Sequence, residues 1–240
     1  MPELPEIEIV KRSLFRMINK ATISNIKINN PNLRYRLQSR FSKELIGEKI
    51  LKISRRSKYI IVYFSKKVLV IHLGMSGKLL LLRKKDKLLF KTSFYYNLNI
   101  IKKHNHIYFF LNNDIVLIYN DVRRFGFLKL FYNKNLNNIS FIKKLGVEPL
   151  NAEFNENYFS NYIKNRKKNI KNLLMDQNFI SGLGNIYTNE VHINGPSRVV
   201  YSPHKPLSCG AHVWIECDSG DIKYPQGQEK YSDMKNNSDL

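Results

Sequence analysis

A run of short segments with strand-like composition, between residues 21 and 132, most constrains what this chain can fold into. Residues 59–64 and 68–73 are rich in β-branched and aromatic side chains, and residues 23–28 alternate over short range. Turn-forming residues punctuate the run, as at residues 112–114. Because many short strands with frequent turns are typical of sandwiches and barrels, we predict a β-sandwich here.

Glycines bracket the short segment that follows residues 68–73. The sequence Gly-Met-Ser-Gly at residues 74–77 leads directly into an apolar run at residues 78–82. This arrangement is a signature of a hairpin turn. We therefore predict a hairpin with Met75 at its tip, where a methionine is poorly placed to enter the core.

Helical periodicity stands before and after the strand region. In residues 3–19 apolar side chains recur on one helical face, and prolines occur only at the start, where backbone N–H groups lack partners anyway. The apolar residues are Ile7, Val10, Leu14 and Met17. After a polar, Asn-rich linker (133–152), residues 153–190 regain helical spacing. The predicted fold class is α+β, with a first domain at 1–132 and a helical domain at 153–190.

The formal net charge of the chain is +21, with a pI near 9.9. A surplus this large predicts binding to a polyanion, most simply nucleic acid. Coding biased toward A and T would also enrich the chain in Lys, Asn and Ile, so a compositional origin of the charge stays open.

Residues 191–240 differ from the rest of the chain, because they carry five basic and six acidic side chains and show no sustained helical or strand period. We treat them as an aberrant tail and assign no fold to it.

The sequence carries no sign of secretion or membrane insertion. The first twenty residues contain several charged side chains and lack the apolar core of a signal peptide. No uninterrupted apolar run approaches the length of a membrane span. Cys209 and Cys217 are the only cysteines, so no disulfide framework is predicted. We expect a monomeric, cytoplasmic protein without membrane contact.

The opening residues combine an amine with carboxylates. If Met1 is removed, Pro2 becomes a terminal secondary amine, and Glu3 and Glu6 follow within one helical turn. A terminal α-amine titrates near pH ~8, so a useful fraction is unprotonated and nucleophilic at neutral pH. The alternative is structural, because proline is favoured at a helix start and glutamates there complement the helix dipole.

Seven segments, in order along residues 1–190, resemble the formamidopyrimidine-DNA glycosylase family. They are MPELPE (1–6), RSKY (56–59), HLGMSG (72–77), DVRRFG (121–126), LGVEPL (145–150), LMDQ (174–177) and GLGNIY (182–187). The resemblance implies a β-sandwich domain with a leading helix, then a helix–two-turn–helix domain. It also implies a DNA glycosylase and AP lyase that excises 8-oxoguanine and formamidopyrimidines through a proline iminium and β,δ-elimination. Double-stranded DNA with oxidised bases or abasic sites is then the expected partner.

The resemblance implies catalytic roles for four residues. Pro2 is the nucleophile at C1′ of the damaged nucleotide, and Glu3 is the acid–base that protonates the sugar oxygen. Glu6 helps to hold the site, and Lys58 contacts phosphate and assists β-elimination. By itself Lys58 is one lysine among many, and only its place in the 56–59 motif distinguishes it.

Base excision also needs groups that fill the gap left by the extruded base and groups that grip the backbone. The resemblance places Met75, Arg123 and Phe125 in the gap, and Glu190 in support of the catalytic pocket. It places four residues on phosphates: His104, Lys167, Lys171 and Asn185. Phe125 alone could equally be a packing residue, and Lys167 could belong to a solvated helix face.

The tail departs from the family. The family ends in a zinc finger with two Cys-x2-Cys pairs and a phosphate-gripping arginine, whereas Cys209 and Cys217 stand alone here. Structural zinc normally takes four ligands, and the nearby His204 and His212 do not complete a family-like set. We therefore predict no cofactor. A shifted reading frame or a decayed gene would explain the change, and a catalytically impaired DNA-binding remnant is the alternative function. A basic RNA-associated protein would leave the ordered motifs unexplained.

Overall fold

The computed structural model describes residues 2–92, 101–164, 168, 170–193, 198–200 and 214–216. Its α-helices are α1 (Leu4–Ile18), α2 (Phe41–Leu45), α3 (Ser140–Lys143), α4 (Glu156–Ile163), α5 (Ile170–Leu174) and α6 (Asn185–Ile193). Its strands are β1 (Ile23–Ile28), β2 (Lys52–Arg56), β3 (Tyr59–Tyr63), β4 (Lys67–His72), β5 (Gly77–Arg83), β6 (Leu89–Lys91), β7 (Asn105–Leu111), β8 (Ile115–Asp121), β9 (Phe127–Tyr132), β10 (Arg198–Val200) and β11 (Trp214–Glu216). Short 3₁₀ helices cover Lys102–His104 and Asn133–Asn138.

The first domain is a sandwich of two antiparallel sheets, as predicted. One sheet has the strand order β1-β7-β8-β5-β6, and the other has the order β2-β3-β4-β9. Strands β4 and β8 are buried along almost their whole length, which matches their nearly unbroken apolar sequences. Helix α1 packs against this domain, and a helical region follows it. The predicted α+β fold class is therefore confirmed.

The two turns predicted between strands have different outcomes. The turn at residues 112–114 joins the antiparallel neighbours β7 and β8, as predicted. The hairpin predicted at residues 74–77 is wrong. Strand β4 pairs with β3 and β9, whereas β5 pairs with β6 and β8, so this turn carries the chain from one sheet to the other. Glycines specify a sharp change of direction but not the partners of the flanking strands.

Helix α1 buries one apolar face against the sandwich. The buried side chains are Leu4, Ile7, Val10, Leu14 and Ile18. At the helix start, the backbone N–H of Glu3 donates to the carboxylate of Glu6 at 2.8 Å. Pro5 lies in the first turn, where a helix needs no N–H donor. The helix therefore begins at the residues predicted to carry chemistry.

Aromatic side chains form the core of the second domain. The Phe179 ring is fully buried and stacks on the Tyr162 ring with a centroid separation of 3.8 Å. Tyr158 also stacks on Phe179, and its hydroxyl donates to the Phe179 carbonyl at 2.8 Å. Both tyrosines lie on α4, at the helical spacing visible in the sequence. Buried residues of α5 and of the turn before α6 belong to the same core.

The predicted tail at 191–240 falls almost entirely outside the described residues. Within that range the structure describes the last turn of α6 and the antiparallel pair of β10 and β11. Across the described part of the chain, no helix is both long and apolar enough to cross a membrane.

Candidate active site

The carboxylate of Glu3 is buried at the start of α6. It accepts hydrogen bonds from the backbone N–H groups of Gly184 at 2.6 Å and Ile186 at 2.9 Å. Only 2% of Glu3 is exposed, and the N–H groups at a helix start favour an anionic partner. Gly184 leaves the necessary room, since a Cβ there would lie 2.5 Å from the carboxylate. Segments 181 positions apart thus meet at Glu3.

Lys58 belongs to the same pocket. It lies in the β2–β3 turn beside Ser57, which has a left-handed φ of 53°, and only 5% of Lys58 is exposed. Its Nζ donates to the Leu183 carbonyl at 2.6 Å. Burial lowers the pKa of Lys58, although the charges of Glu3 and Glu6 act in the opposite direction. Lys58 is thus a buried amine near two carboxylates rather than a solvated surface lysine.

Pro2 and Glu6 complete the group. Pro2 is buried and directly precedes Glu3, and the carboxylate of Glu6 accepts a hydrogen bond from the Tyr187 hydroxyl at 3.4 Å. Burial raises the pKa of Tyr187, and the charges of Glu6 and Glu3 raise it further. The phenol therefore stays protonated at neutral pH and remains a donor. The structure brings the four residues predicted to be catalytic to the junction of α1, the β2–β3 turn and α6.

Gln177 supports the turn before α6, a role that sequence reasoning missed. Its side-chain N–H donates to the Leu183 carbonyl at 2.7 Å, and its side-chain oxygen accepts the Gly182 N–H at 2.9 Å. The Leu183 carbonyl is also the acceptor for Lys58. The 174–177 motif contained Gln177, but nothing local in that motif indicates these partners.

Glu148 anchors the β2–β3 turn, and its role was also missed. One carboxylate oxygen accepts the Ser57 N–H at 2.6 Å, and the other accepts a hydrogen bond from Arg55 at 2.8 Å. Arg55 also donates to Glu8 of α1 at 3.0 Å. Burial alone would raise the pKa of Glu148, but the hydrogen bonds from Arg55 and Ser57 lower it overall. Ser57 lies 91 positions away, so no local pattern reveals the contact.

Met75, Arg123 and Phe125 lie together on one cleft of about 770 Å³. The turn between β4 and β5 supplies Met75, and the loop between β8 and β9 supplies the other two. Met75 is 45% exposed and Phe125 is 43% exposed. The guanidinium carbon of Arg123 lies 4.5 Å from the centre of the Phe125 ring. An apolar and cationic cluster thus faces solvent at one end of the sandwich.

His72 lines the same cleft and was not assigned a role from the sequence. Burial lowers the pKa of His72 to about 4, and the charges of Arg34 and Lys58 contribute. The Gly74 N–H donates to His72 Nδ1 at 3.1 Å. The imidazole is therefore neutral at pH 7, with its proton on Nε2.

Four further predicted residues lie at separate places in the described structure. His104 is the last residue of the first 3₁₀ helix. The side-chain amide of Asn120, on β8, donates to the Ile101 carbonyl just before that helix at 3.3 Å. Lys171 lies on α5, and Asn185 is the exposed first residue of α6. Glu190 lies later in α6 and is half-buried. Asn185 directly follows the Gly184 amide that binds Glu3, whereas no contact described here joins His104 or Lys171 to that pocket.

Some predictions lie outside the described residues. They concern Lys167 as a phosphate contact, and Cys209 and Cys217 as an incomplete zinc site. Among the residues that the structure describes, no cluster of three or more His, Cys, Asp or Glu side chains is arranged to hold a metal ion.

Two family models match the chain. The formamidopyrimidine-DNA glycosylase N-terminal domain matches residues 1–128, and the formamidopyrimidine-DNA glycosylase H2TH domain matches residues 145–194. A formamidopyrimidine-DNA glycosylase from Wolbachia pipientis is 40% identical over 191 residues, which cover 79% of this chain and 65% of the relative. One from Bartonella quintana is 40% identical over 195 residues, with the same coverage of both chains. The chain thus spans 65% of the length of these relatives.

The fold is also similar to solved structures of DNA complexes. The Lactococcus lactis Fpg bound to DNA containing an abasic site aligns with a TM-score of 0.66 and 35% identity, covering 79% of this chain and 65% of that one. The same protein bound to DNA containing N7-benzyl-Fapy-dG aligns with a TM-score of 0.66 and 35% identity. Because one family model alone covers residues 1–128 of 240, the chain belongs to the formamidopyrimidine-DNA glycosylase family.

Proposed function

We propose that the chain is a base-excision repair DNA glycosylase with AP lyase activity, which removes 8-oxoguanine and formamidopyrimidines from duplex DNA. One observation carries the proposal: the buried carboxylate of Glu3 stands next to Pro2, with the buried amine of Lys58 in the same pocket. The Lactococcus lactis relative supports the assignment, because its solved structures include a complex with DNA containing an abasic site and, for a mutant of that protein, a complex with DNA containing Fapy-dG.

The reaction begins at the Pro2 nitrogen, which is a secondary amine in a chain from which Met1 has been removed. Its lone pair attacks C1′ of the lesion, and the electron pair of the glycosidic bond leaves with the base, which takes a proton from water. The carboxylate of Glu3 accepts the proton that the Pro2 nitrogen loses and passes it to the ring oxygen of the sugar as the ring opens. The C1′–O4′ bond breaks in this step, so the product is an iminium that joins Pro2 to C1′.

Strand cleavage follows from the iminium, which makes the C2′ proton acidic. Loss of that proton expels the 3′ phosphate, and the electron pair of the C2′–H bond forms the new double bond. Burial lowers the pKa of Lys58, so a larger fraction of this amine is neutral at a given pH. A neutral Lys58 can accept the C2′ proton, and a protonated Lys58 can hold a phosphate.

Access to C1′ requires the damaged nucleotide to leave the base stack, which costs a few kcal/mol. Met75, Arg123 and Phe125 form an exposed apolar and cationic cluster of the kind that fills such a gap. His72 and Arg34 line the same cleft. The net charge of +21 adds a favourable interaction with the phosphates of duplex DNA.

Borohydride trapping tests the proposal, because it reduces an iminium to a stable covalent adduct. The protein is incubated with duplex containing 8-oxoguanine, and adducts are counted by gel shift under denaturing conditions. We expect adducts with the wild type and with Pro5→Ala, a matched proline change in the first turn of α1. We expect far fewer with Pro2→Gly, because this change replaces the secondary amine of proline with a less nucleophilic primary amine. Binding of the wild type to duplex without any adduct would instead indicate the DNA-binding remnant.

A further inference from the structure

A buried carboxylate outside the reaction centre links the two loops that carry Met75, Arg123 and Phe125. Asp121, at the end of β8, is 0% exposed. Its Oδ1 accepts the Ser76 hydroxyl proton at 2.5 Å, so it binds the β4–β5 turn. Its Oδ2 accepts hydrogen bonds from the Gly126 N–H at 2.9 Å and from the Tyr119 hydroxyl at 3.1 Å.

The Ser76 hydroxyl makes this link continuous. Besides donating to Asp121, it accepts the backbone N–H of Arg123 at 3.0 Å. One hydroxyl therefore joins the residue after Met75 to the backbone of Arg123. The backbone of Asp121 is fixed as well, because His106 Nε2 donates to its carbonyl at 2.7 Å.

The two loops also touch backbone to backbone. At Gly74, which has a left-handed φ of 60°, an added Cβ would lie 2.5 Å from the Gly126 nitrogen and from the Phe125 carbonyl carbon. Because neither Gly74 nor Gly126 has a side chain, the backbones of the two loops can approach closely at this contact.

The chemistry of the link explains why a carboxylate is useful here. A buried carboxylate is costly unless it is fully hydrogen-bonded, and packing alone could be achieved by apolar side chains. A carboxylate accepts several hydrogen bonds at once in fixed directions. Asp121 uses this capacity to hold one donor from each loop and one from its own strand.

We propose that Asp121 and Ser76 are positioning residues, which hold Met75, Arg123 and Phe125 as one rigid wedge for entry into the base stack. The inference rests on the proposed function and deepens it. Neither residue touches the reacting atoms. Loss of the link should therefore impair the opening of duplex at a lesion, and it should spare the chemistry of Pro2 at a flexible single-stranded abasic site.

The test compares Ser76→Ala with Ser24→Ala, a matched change on β1 where the hydroxyl donates to the Phe110 carbonyl at 3.0 Å. Single-turnover excision of 8-oxoguanine from duplex is measured beside borohydride trapping on a single-stranded abasic oligonucleotide. A 2-aminopurine next to the lesion reports unstacking on binding, without any need for catalysis.

For Ser76→Ala we expect duplex excision to fall roughly tenfold, in line with a lost hydrogen bond to a charged group. We expect less 2-aminopurine unstacking and single-stranded trapping within about twofold of the wild type. Ser24→Ala should match the wild type throughout, and Ser76→Thr, which keeps the hydroxyl, should restore excision. Asp121→Asn should repeat the Ser76→Ala pattern if it folds.

Two results would overturn the positioning role: unchanged duplex excision and unstacking in Ser76→Ala, or equal losses on both substrates. A wild type that unstacks duplex but never traps an abasic strand would overturn the proposed lyase function. In that case the unstacking signal alone still decides whether Ser76 and Asp121 position the wedge.

Discussion

At the scale of single residues, the position of the Glu3 carboxylate depends on the small space around it. Its carboxylate binds the Gly184 and Ile186 amides and occupies the space that a side chain at position 184 would need. The Glu3 carboxylate can therefore make these hydrogen bonds only because residue 184 has no side chain. Changing the glycine should displace the acid without altering the acid itself.

Gly184→Ala should reduce borohydride trapping at least about tenfold and destabilise the fold by about 1–3 kcal/mol, because the new methyl group overpacks the Glu3 site. Trapping is measured on duplex with 8-oxoguanine, and stability is measured by urea unfolding. The control is Gly47→Ala, where φ is 86° and no atom lies within 4 Å of a new Cβ. That variant should lose about 1–2 kcal/mol through backbone strain yet trap normally. Equal trapping by the two variants would contradict the pocket described here.

His72 should make stability depend on pH. Its pKa is lowered from 6.5 to about 4, so between these values the unfolded chain binds a proton that the folded chain does not. His72 therefore does not lower the free energy of unfolding above pH 6.5. Below that value, the free energy of unfolding falls as the pH drops toward 4. The loss should reach about 2 kcal/mol between pH 7.5 and pH 5.

The measurement is urea unfolding of the wild type and of His72→Asn at both pH values. Asparagine keeps an oxygen that can accept the Gly74 N–H but does not titrate. Its pH dependence should be smaller by about the 2 kcal/mol assigned to the imidazole. Identical pH dependence of the two proteins would contradict a neutral, buried His72.

Some site residues could be predicted from the sequence and others could not, for a physical reason. Glu3 and Lys58 stand in short motifs that resemble a known family, so their identity could be predicted from order along the chain. Gln177 and Glu148 stand in such motifs too, but their roles consist of contacts with distant backbone groups. The Glu148 contact with Ser57 crosses 91 positions, and only the fold brings those groups together.

At the scale of elements, the β2–β3 turn is held by residues 146–148, which lie between the sandwich and the helical domain. Glu148 binds Ser57 and Arg55, and Arg56 of β2 donates to the Gly146 carbonyl at 2.8 Å. The turn that presents Lys58 is therefore fixed by a segment that follows the sandwich in the chain. Lys58 should lose its position when this segment is released.

Glu148→Gln should lower the free energy of unfolding by about 2–3 kcal/mol. The change removes one of the two carboxylates that pair with the largely buried Arg55 and leaves only Glu8. It should also slow strand cleavage more than binding, because Lys58 moves while the cleft stays intact. Urea unfolding, cleavage of a preformed abasic site and filter binding measure the three effects. Glu153→Gln, at an exposed position, is the control and should stay within about 0.5 kcal/mol of the wild type. A cleavage rate in Glu148→Gln equal to that of Glu153→Gln would contradict the role of Glu148.

The two predicted turns show which features of the elements local sequence can predict. The sequence predicts a turn at residues 112–114 and a hairpin at residues 74–77, and only the first of these joins paired strands. Strand β5 pairs with β8, which enters the sheet about forty positions later, as in the pairing of Gly77 with Asp121. Because strand partners depend on such long-range pairing, the turn itself could be predicted and its topology could not.

At the scale of the whole molecule, the positive charge should govern DNA binding. The surplus of +21 arises in the first 190 residues, which contain the sandwich and the helical domain. Phosphate contacts release counterions from DNA, so the binding constant should fall steeply with salt. Each contact adds to the slope of log K against log salt concentration.

Lys171→Ala should reduce the magnitude of that slope by about 1, because one phosphate contact is removed. Lys27→Ala, an exposed lysine on β1, is the matched control and should leave the slope unchanged. Fluorescence anisotropy with undamaged duplex at several salt concentrations measures both. Equal slopes for the two variants would contradict the placement of Lys171 on phosphate.

The central claim is that Pro2 forms the covalent bond to damaged DNA. The most direct measurement is mass spectrometry of the borohydride-trapped complex after nuclease and protease digestion. We expect the sugar remnant on the nitrogen of Pro2, in a peptide that lacks Met1. An adduct on Lys58 or another lysine, with Pro2 unmodified, would contradict the claim.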